Sequence, residues 1–366
     1  MEWDNRIHKF RFLLRPLSCL YGMGVRFRNM LFDEGIWKEE SFDVPVICVG
    51  NLAVGGTGKT PHIEYLIRLL KDKYRVAVVS RGYKRLTKGF VLAEMGHSYN
   101  DIGDEPFQIK HKFPKVAVAV DANRCEAIRL LMNLPKNKRP EVILLDDAFQ
   151  HRYVQPSYSL LLTDYHRMYC KDSLLPAGCL REHRSGAQRA DMVVVTKAPL
   201  SMKPIDYRIA EDDLYLQAHQ SLFFTYIKYG ELQPLFPGKA ISFSKGKAYT
   251  VLAVSGIASP APFHEELKKR AKVVRVLDFP DHHDFNEKDI CRINDEFNSI
   301  RAKDKLIVMT EKDAVRLMAN KGLKKEMVPY CFYLPIQIAF LQEREEEFDK
   351  IICKHIDDFY RNKKDK

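Results

Sequence analysis

The sequence predicts an α/β protein: a P-loop NTPase-type parallel sheet with helices on both faces, plus a smaller second α/β lobe joined by a β-ribbon. Three observations predict it. Between residues 44 and 200, apolar runs at 44–49, 75–80, 115–120, 141–146, 159–163 and 192–196 are interleaved with helical patterns. Short continuous apolar runs of this kind suit strands buried on both faces, as in a parallel sheet. The first run ends in a glycine cluster followed by Lys59-Thr60, which opens an amphipathic helical pattern. After residue 248 a second alternation begins, which asks for a second layered unit.

In chain order, residues 8–32 (HKFRFLLRPLSCLYGMGVRFRNMLF) come first. Phe10, Leu13, Leu14, Leu17, Leu20, Tyr21, Val25, Leu31 and Phe32 recur largely at helical spacing, with Lys9, Arg11, Arg15, Arg26 and Arg28 around them. That is the composition of a basic interfacial helix, and no run approaches the ~20 apolar residues of a membrane span. Pro16 predicts a break or bend, which allows two helical pieces. Residues 1–40 are expected to form a membrane-interacting helical segment, the alternative being a helix packed on the following domain.

The P-loop follows in VPVICVGNLAVGGTGKTP, residues 44–61. Gly55, Gly56 and Gly58 let backbone N–H groups converge on an anion without interference from a Cβ. Ala53, Val54, Gly55, Gly56, Thr57, Gly58, Lys59 and Thr60 form the eight-residue loop, with Ala53 where the strict pattern has glycine. Lys59 is expected to reach the β/γ-phosphates and the Thr60 hydroxyl to ligate Mg²⁺. The loop predicts a bound nucleoside triphosphate.

Helices are expected at 60–72, 104–112 and 123–134, and a small hairpin or loop insertion at 87–100. EVILLDDAFQHR (141–152) is an apolar strand ending in Asp146 and Asp147, which suits the carboxylates that hold Mg²⁺. In GDEP (103–106), Asp104 fits two roles, helix N-cap and general base beside Glu105. Arg81 in SRGYKR, and Arg181 and Arg184 in LLPAGCLREHRSG, are either solvated loop residues or clamps for an anion. These elements define a kinase-like core over residues 41–213.

Residues 214–247 read as the β-ribbon linker and 248–366 as the C-terminal α/β lobe. That lobe predicts strands at 249–256, 272–279 and 305–310, helices at 261–271 and after 310, and a long helix at 342–361. FPDHHDF (279–285) concentrates His282, His283 and two carboxylates beyond a strand, either a metal site or a polar turn. TEKDAVRL (310–317) reads as Thr310 capping a helix with Asp313 at the box position.

Of 366 residues, 46% are hydrophobic and 29% charged, as in ordinary globular proteins. The formal charge of +11 favours an anionic partner, which could be nucleic acid, an acidic membrane face or a phosphorylated substrate. No helix-turn-helix signature, RNP-like aromatic motif or zinc-ligand spacing accompanies it, so nucleic acid is not expected. The eight cysteines include no CxxC pair and suit a reducing compartment.

Taken together, GNLAVGGTGKTP, SRGYKR, GDEP, DDAFQHR, LLPAGCLRE, FPDHHDF and TEKDAVR resemble the tetraacyldisaccharide 4′-kinase family of lipid A biosynthesis, in the family's order from residue 44 to 317. Lys84, Ala148 and Cys179 depart from the family's usual residues, without removing a catalytic functional group. The resemblance implies ATP- and Mg²⁺-dependent phosphorylation of the 4′-hydroxyl of an acylated glucosamine disaccharide 1-phosphate. It also implies work at the cytoplasmic face of a bacterial inner membrane, on an anionic lipid surface. Carried over by position, Asp104 is the hydroxyl-activating base and His282 its partner. Asp146 and Asp147 serve the metal, Lys59 the transferring phosphate, and Arg81, Glu105 and Arg181 the substrate. The rival from another class is a membrane-associated switch ATPase of the partitioning type. Those proteins carry a lysine directly before the two glycines, where this chain has Val54.

Overall fold

The computed structural model describes residues 2–236, 249–281, 283–318 and 326–364, with side chains between residues 12 and 363 of these. Its first sheet is built from β1 (Val46–Asn51), β2 (Val76–Ser80), β3 (Val91–Leu92), β4 (Ala117–Val120), β5 (Val142–Asp146), β6 (Tyr158–Asp164), β7 (Met192–Thr196) and β8 (Ser221–Tyr229). The second holds β9 (Gln233–Pro234), β10 (Thr250–Ser255), β11 (Val273–Asp278), β12 (Lys305–Thr310) and β13 (Cys331–Leu334). The chain then returns to the first sheet as β14 (Ile336–Phe340).

The first sheet runs β14, β8, β7, β6, β1, β5, β2, β4, β3. Its interior pairings are all parallel, with antiparallel partners only at the β3 and β14 edges. The interior strands β1, β2, β5 and β7 are buried along their whole length, which is why they appear in the sequence as unbroken apolar runs. One face is covered by α2 (Lys59–Leu70) through Ile63, Leu66, Ile67 and Leu70. The other is covered by α5 (Arg124–Met132) through Ala127, Ile128 and Leu131. Between them lie α3 (Tyr99–Ile102) and α4 (Asp104–Lys112), and α6 (Pro204–Leu214) precedes β8. The segment expected as a small hairpin or loop insertion at 87–100 sends β3 across to pair with β4 rather than folding back on itself as a hairpin.

In the second lobe the order is β11, β10, β12, β13, β9, flanked by α7 (Ala261–Arg270), α8 (Glu287–Ser299) and α9 (Glu311–Met318). Helix α8, which the apolar spacing did not single out, starts at Asn286, whose side chain accepts from the N–H groups of Lys288 and Asp289.

Two boundaries differ from the sequence expectation. The 248–366 stretch is shared between the sheets, because β14 pairs with β8 and α10 (Glu345–Lys364) packs Phe348, Ile352 and Ile356 into the α2-side core. The ribbon at 214–247 is likewise only half of the connection. Strand β8 continues into β9 while β13 continues into β14, and the two paths run antiparallel side by side, with Gly230 N–H on the Pro335 carbonyl. Residues 237–248 lie outside the described residues.

Helix α1 (Glu2–Asp33) is continuous through Pro16, where a break or bend was expected, so the chain is not broken into two helices there. Its C-terminal half is held by the core. The Ser18 hydroxyl donates to the Leu174 carbonyl and accepts from Ala177 N–H, and Asn29 donates to Glu182. Tertiary anchoring of this kind offsets a local propensity defect.

Candidate functional site

The site lies at the carboxyl ends of the parallel strands, where open α/β sheets bind ligands. After β1 the loop turns at Gly55 (φ +111°) and Gly58 (φ +84°), conformations that a side chain would strain. Asn51 fastens it from beneath, donating to the Ala53 carbonyl at 2.6 Å and the Thr57 hydroxyl at 2.8 Å. From neighbouring strands the Thr196 hydroxyl donates to the Thr57 carbonyl and Lys197 to the Gly56 carbonyl. The loop backbone is thus held by side chains, and Lys59 and Thr60 open α2 beside it.

Asp146 ends β5 and Asp147 follows in the left-handed region (φ +49°). Arg181 grips Asp147 with two bonds of 2.8 and 3.1 Å, and Lys59 Nζ stands 3.6 Å from the same carboxylate. Burial would raise the Asp147 pKa, but Lys59 and Arg181 outweigh it and hold the group below the usual range. Asp146 is fully buried and accepts from the Ser80 hydroxyl at 3.3 Å, while its Oδ1 makes no hydrogen bond. Burial, then the charges of Glu105 and Asp147, push its pKa well above the carboxylate range. A buried carboxylate oxygen of that kind asks for a cation.

Asp104 and Glu105 begin α4, with Gly103 at the cap in a backbone shape (φ +93°) that also presses it against Gly82 and Tyr83. Glu105 acts electrostatically on Asp146, so GDEP faces the same sheet edge. Asp104 accepts two bonds on Oδ2 from Arg316 of α9, at 3.1 Å from Nε and 2.5 Å from Nη2. TEKDAVR is therefore more than a cap. Thr310 does cap α9 at Asp313, as expected, and Arg316 reaches back to the other lobe. His282 lies outside the described residues. Its neighbour His283 is structural, bonded to Asp289 at 2.8 Å and stacked on Phe279. Among the described residues no group of three or more His, Cys, Asp or Glu forms a metal cluster.

Arg81 is exposed, and its charge reaches Arg124 and His151. Arg124, Asn51, Ser80 and Arg316 join the site without having been singled out. Asn51 and Ser80 lay within the quoted motifs GNLAVGG and SRGYKR, whereas Arg124 is a single arginine at a helix start.

His62 ties the loop to the sheet. Its Nδ1–H donates to the Gly58 carbonyl at 2.7 Å and its Nε2 accepts from the Thr225 hydroxyl of β8 at 3.1 Å. Burial lowers its pKa to about 4, outweighing the Gly58 carbonyl, which raises it. An unfolded histidine titrates near ~6.5, so below that value the unfolded chain takes up a proton that the folded chain refuses. The stabilisation from neutral His62 is complete above about pH 6.5 and is lost as pH falls toward about 4. Thermal melts should show a smaller loss of Tm on acidification for His62→Gln than for wild type. Identical slopes would assign the acid sensitivity to other groups.

A family model described as Tetraacyldisaccharide-1-P 4'-kinase matches residues 10–357. The chain is 56% identical over 365 residues to a Tetraacyldisaccharide 4'-kinase of Parabacteroides distasonis, covering 99% of both chains. It is 49% identical to that of Bacteroides thetaiotaomicron, covering 98% of this chain and 95% of the relative. Among solved structures it resembles the "apo" form LpxK from Aquifex aeolicus in complex with ATP. The TM-score is 0.74 at 32% identity, covering 95% of this chain and 99% of the other.

Proposed function

This chain belongs to the tetraacyldisaccharide-1-P 4'-kinase family, and from that premise we infer how its residues divide the work. The protein is an ATP-dependent kinase of lipid A biosynthesis, phosphorylating the 4′-hydroxyl of tetraacyldisaccharide 1-phosphate to form lipid IVA. The partitioning-type switch is not favoured, since the family match spans residues 10–357.

One observation supports the assignment of roles above the rest. A glycine loop, the Asp146–Asp147 pair and the Asp104–Glu105 pair converge on one sheet edge, linked by Lys59 and by the charge of Glu105 on Asp146. Lys59, with the N–H groups of Ala53 to Thr60, holds the β/γ-phosphates of ATP. Asp147 and Arg181 keep Lys59 aligned. Thr60 and Asp146, with Asp147 beside them, would hold Mg²⁺, a fit supported by the buried Asp146 Oδ1 that makes no hydrogen bond. Mg²⁺ at that position supplies positive charge against the phosphate oxygens during transfer. Asp104 accepts the proton of the sugar hydroxyl, with His282 as its partner. Glu105, Arg81 and Arg181 face the acceptor sugar and its phosphate. Incubating the pure protein with ATP, Mg²⁺ and the disaccharide 1-phosphate should give a product heavier by one phosphate. ATP hydrolysis with no change in lipid mass would return the switch reading.

The enzyme meets its lipid substrate at the cytoplasmic face of the bacterial inner membrane, as a peripheral or monotopic protein. No described helix is long and apolar enough to cross a membrane. Helix α1 supports surface binding. Leu13, Leu17, Leu20 and Phe27 are all more than half exposed along one side, with Phe12, Met23 and Met30 beside them, while Phe32 turns into the core. Arg15 and Arg26 flank this row, which suits an anionic leaflet. Liposome flotation should separate the full chain from one starting near residue 39, with only part of the binding lost at high salt. Equal flotation of both would move the lipid contact to another surface.

A further inference from the structure

Helices α4 and α9, one from each lobe, lie antiparallel and are ion-paired at both ends. At one end Arg316, in the last turn of α9, holds Asp104 at the start of α4. At the other, Lys112 closes α4 and meets Glu311, the first residue of α9, at 2.5 Å, and Glu64 of α2 at 2.7 Å. Each helix therefore carries acid at its N-terminus and base at its C-terminus, so the pairs also complement the helix dipoles. The joint is dry on the side facing α4: Arg316 is 2% exposed, Asp313 and Glu64 no more than 1%, and Glu311 8%, while Asp104 and Lys112 are partly exposed. Asp313 balances Arg316 from within α9 at 3.4 Å and accepts from the Thr310 hydroxyl and from Gly256 N–H.

Helix α9 also carries the loop that follows β11. Lys312 stands 4.0 Å from Asp281, and a Cβ at Gly256 would sit 3.0 Å from Asp313 Oδ1 and 3.3 Å from the Pro280 carbonyl. One short helix thus braces both the Asp104 carboxylate and the chain at Pro280 and Asp281.

We propose that Arg316 is a positioning residue for phosphoryl transfer: it locks the Asp104 carboxylate, through the α4–α9 joint, in the orientation that meets the acceptor hydroxyl. This rests on the assignment of Asp104 as the base. Removing the guanidinium takes two bonds from the carboxylate, while the side chains that fasten the P-loop, Asn51, Thr196 and Lys197, are unchanged. Misplacement of a reacting group by about 1 Å costs up to about a hundredfold.

The test is steady-state kinetics of the full chain with ATP and the disaccharide 1-phosphate, for Arg316→Gln, Arg316→Lys, Asp104→Asn and the double variant Asp104→Asn/Arg316→Gln. Arg316→Gln should lower kcat about tenfold to a hundredfold with the KM for ATP within about twofold. Arg316→Lys should recover part of the loss, because it restores charge but not the two-pronged grip. The double variant should be no slower than Asp104→Asn alone. Wild-type kcat in folded Arg316→Gln, or strictly multiplicative losses, would overturn the positioning role. If Arg316→Gln does not fold, Arg316→Lys decides: wild-type kcat overturns the proposal, and lowered kcat at unchanged ATP KM supports it. Asp104→Asn at the wild-type rate would sink the base assignment, whereas a dead Asp104→Asn beside a fast Arg316→Gln sinks only the role of Arg316.

Discussion

Lys59→Ala is expected to lose about a hundredfold or more in turnover while remaining folded. The side chain is one of the groups that can neutralise charge on the transferring phosphoryl group, and it already stands 3.6 Å from Asp147 at the mouth of the loop. Losing one preorganised contact to developing charge costs on the order of 3 kcal/mol, about two decades in rate. The fold should tolerate the change, because Asp147 keeps both bonds to Arg181 and the loop backbone is fastened by Asn51, Thr196 and Lys197. The check is kcat together with a thermal melt. A folded variant turning over at the wild-type rate would remove Lys59 from the mechanism.

Asp104→Asn is expected to cut kcat by about 10²–10⁴-fold and leave ATP affinity near that of wild type. The amide is a better probe than alanine. It still offers Arg316 an oxygen, whereas truncation would leave a guanidinium that is 2% exposed leaning on Asp313 at 3.4 Å, which costs stability. Isothermal binding of ATP measures the unchanged part and steady-state rates the changed part. Combined with His282→Ala, the loss should be smaller than the product of the single losses, because residues acting as a unit are not additive. Strictly multiplicative effects would make the two independent.

Much of this was legible in the sequence because the responsible signals are local. Fully buried strands such as β1 and β5 show as apolar runs, and the loop at Gly55–Thr60 has few other uses. Asp146 and Asp147 declare themselves by standing at the tip of such a run. What escaped depends on partners distant in the chain. Residues 331–340 form strands through β9 and β8, a pairing that their own composition does not encode. Pro16 reads as a break until Ser18, Tyr21 and Asn29 are seen bonded to residues some 150 positions away, at which point the helix is held from outside. Arg316 is indistinguishable from any helical arginine until α9 is laid beside α4.

The paired crossing of β8–β9 and β13–β14 bears on how the molecule is made. The second lobe occupies what would otherwise be the turn of a β8–β14 hairpin, so the first lobe is interrupted before its last strand has been synthesised. On the ribosome the P-loop emerges early, yet the helix bearing Phe348, Ile352 and Ile356, which closes the core over α2, emerges only after the second lobe. Until then that apolar face stays open to water and to other chains, and a truncated translation product would carry a complete nucleotide loop on an unsealed sheet.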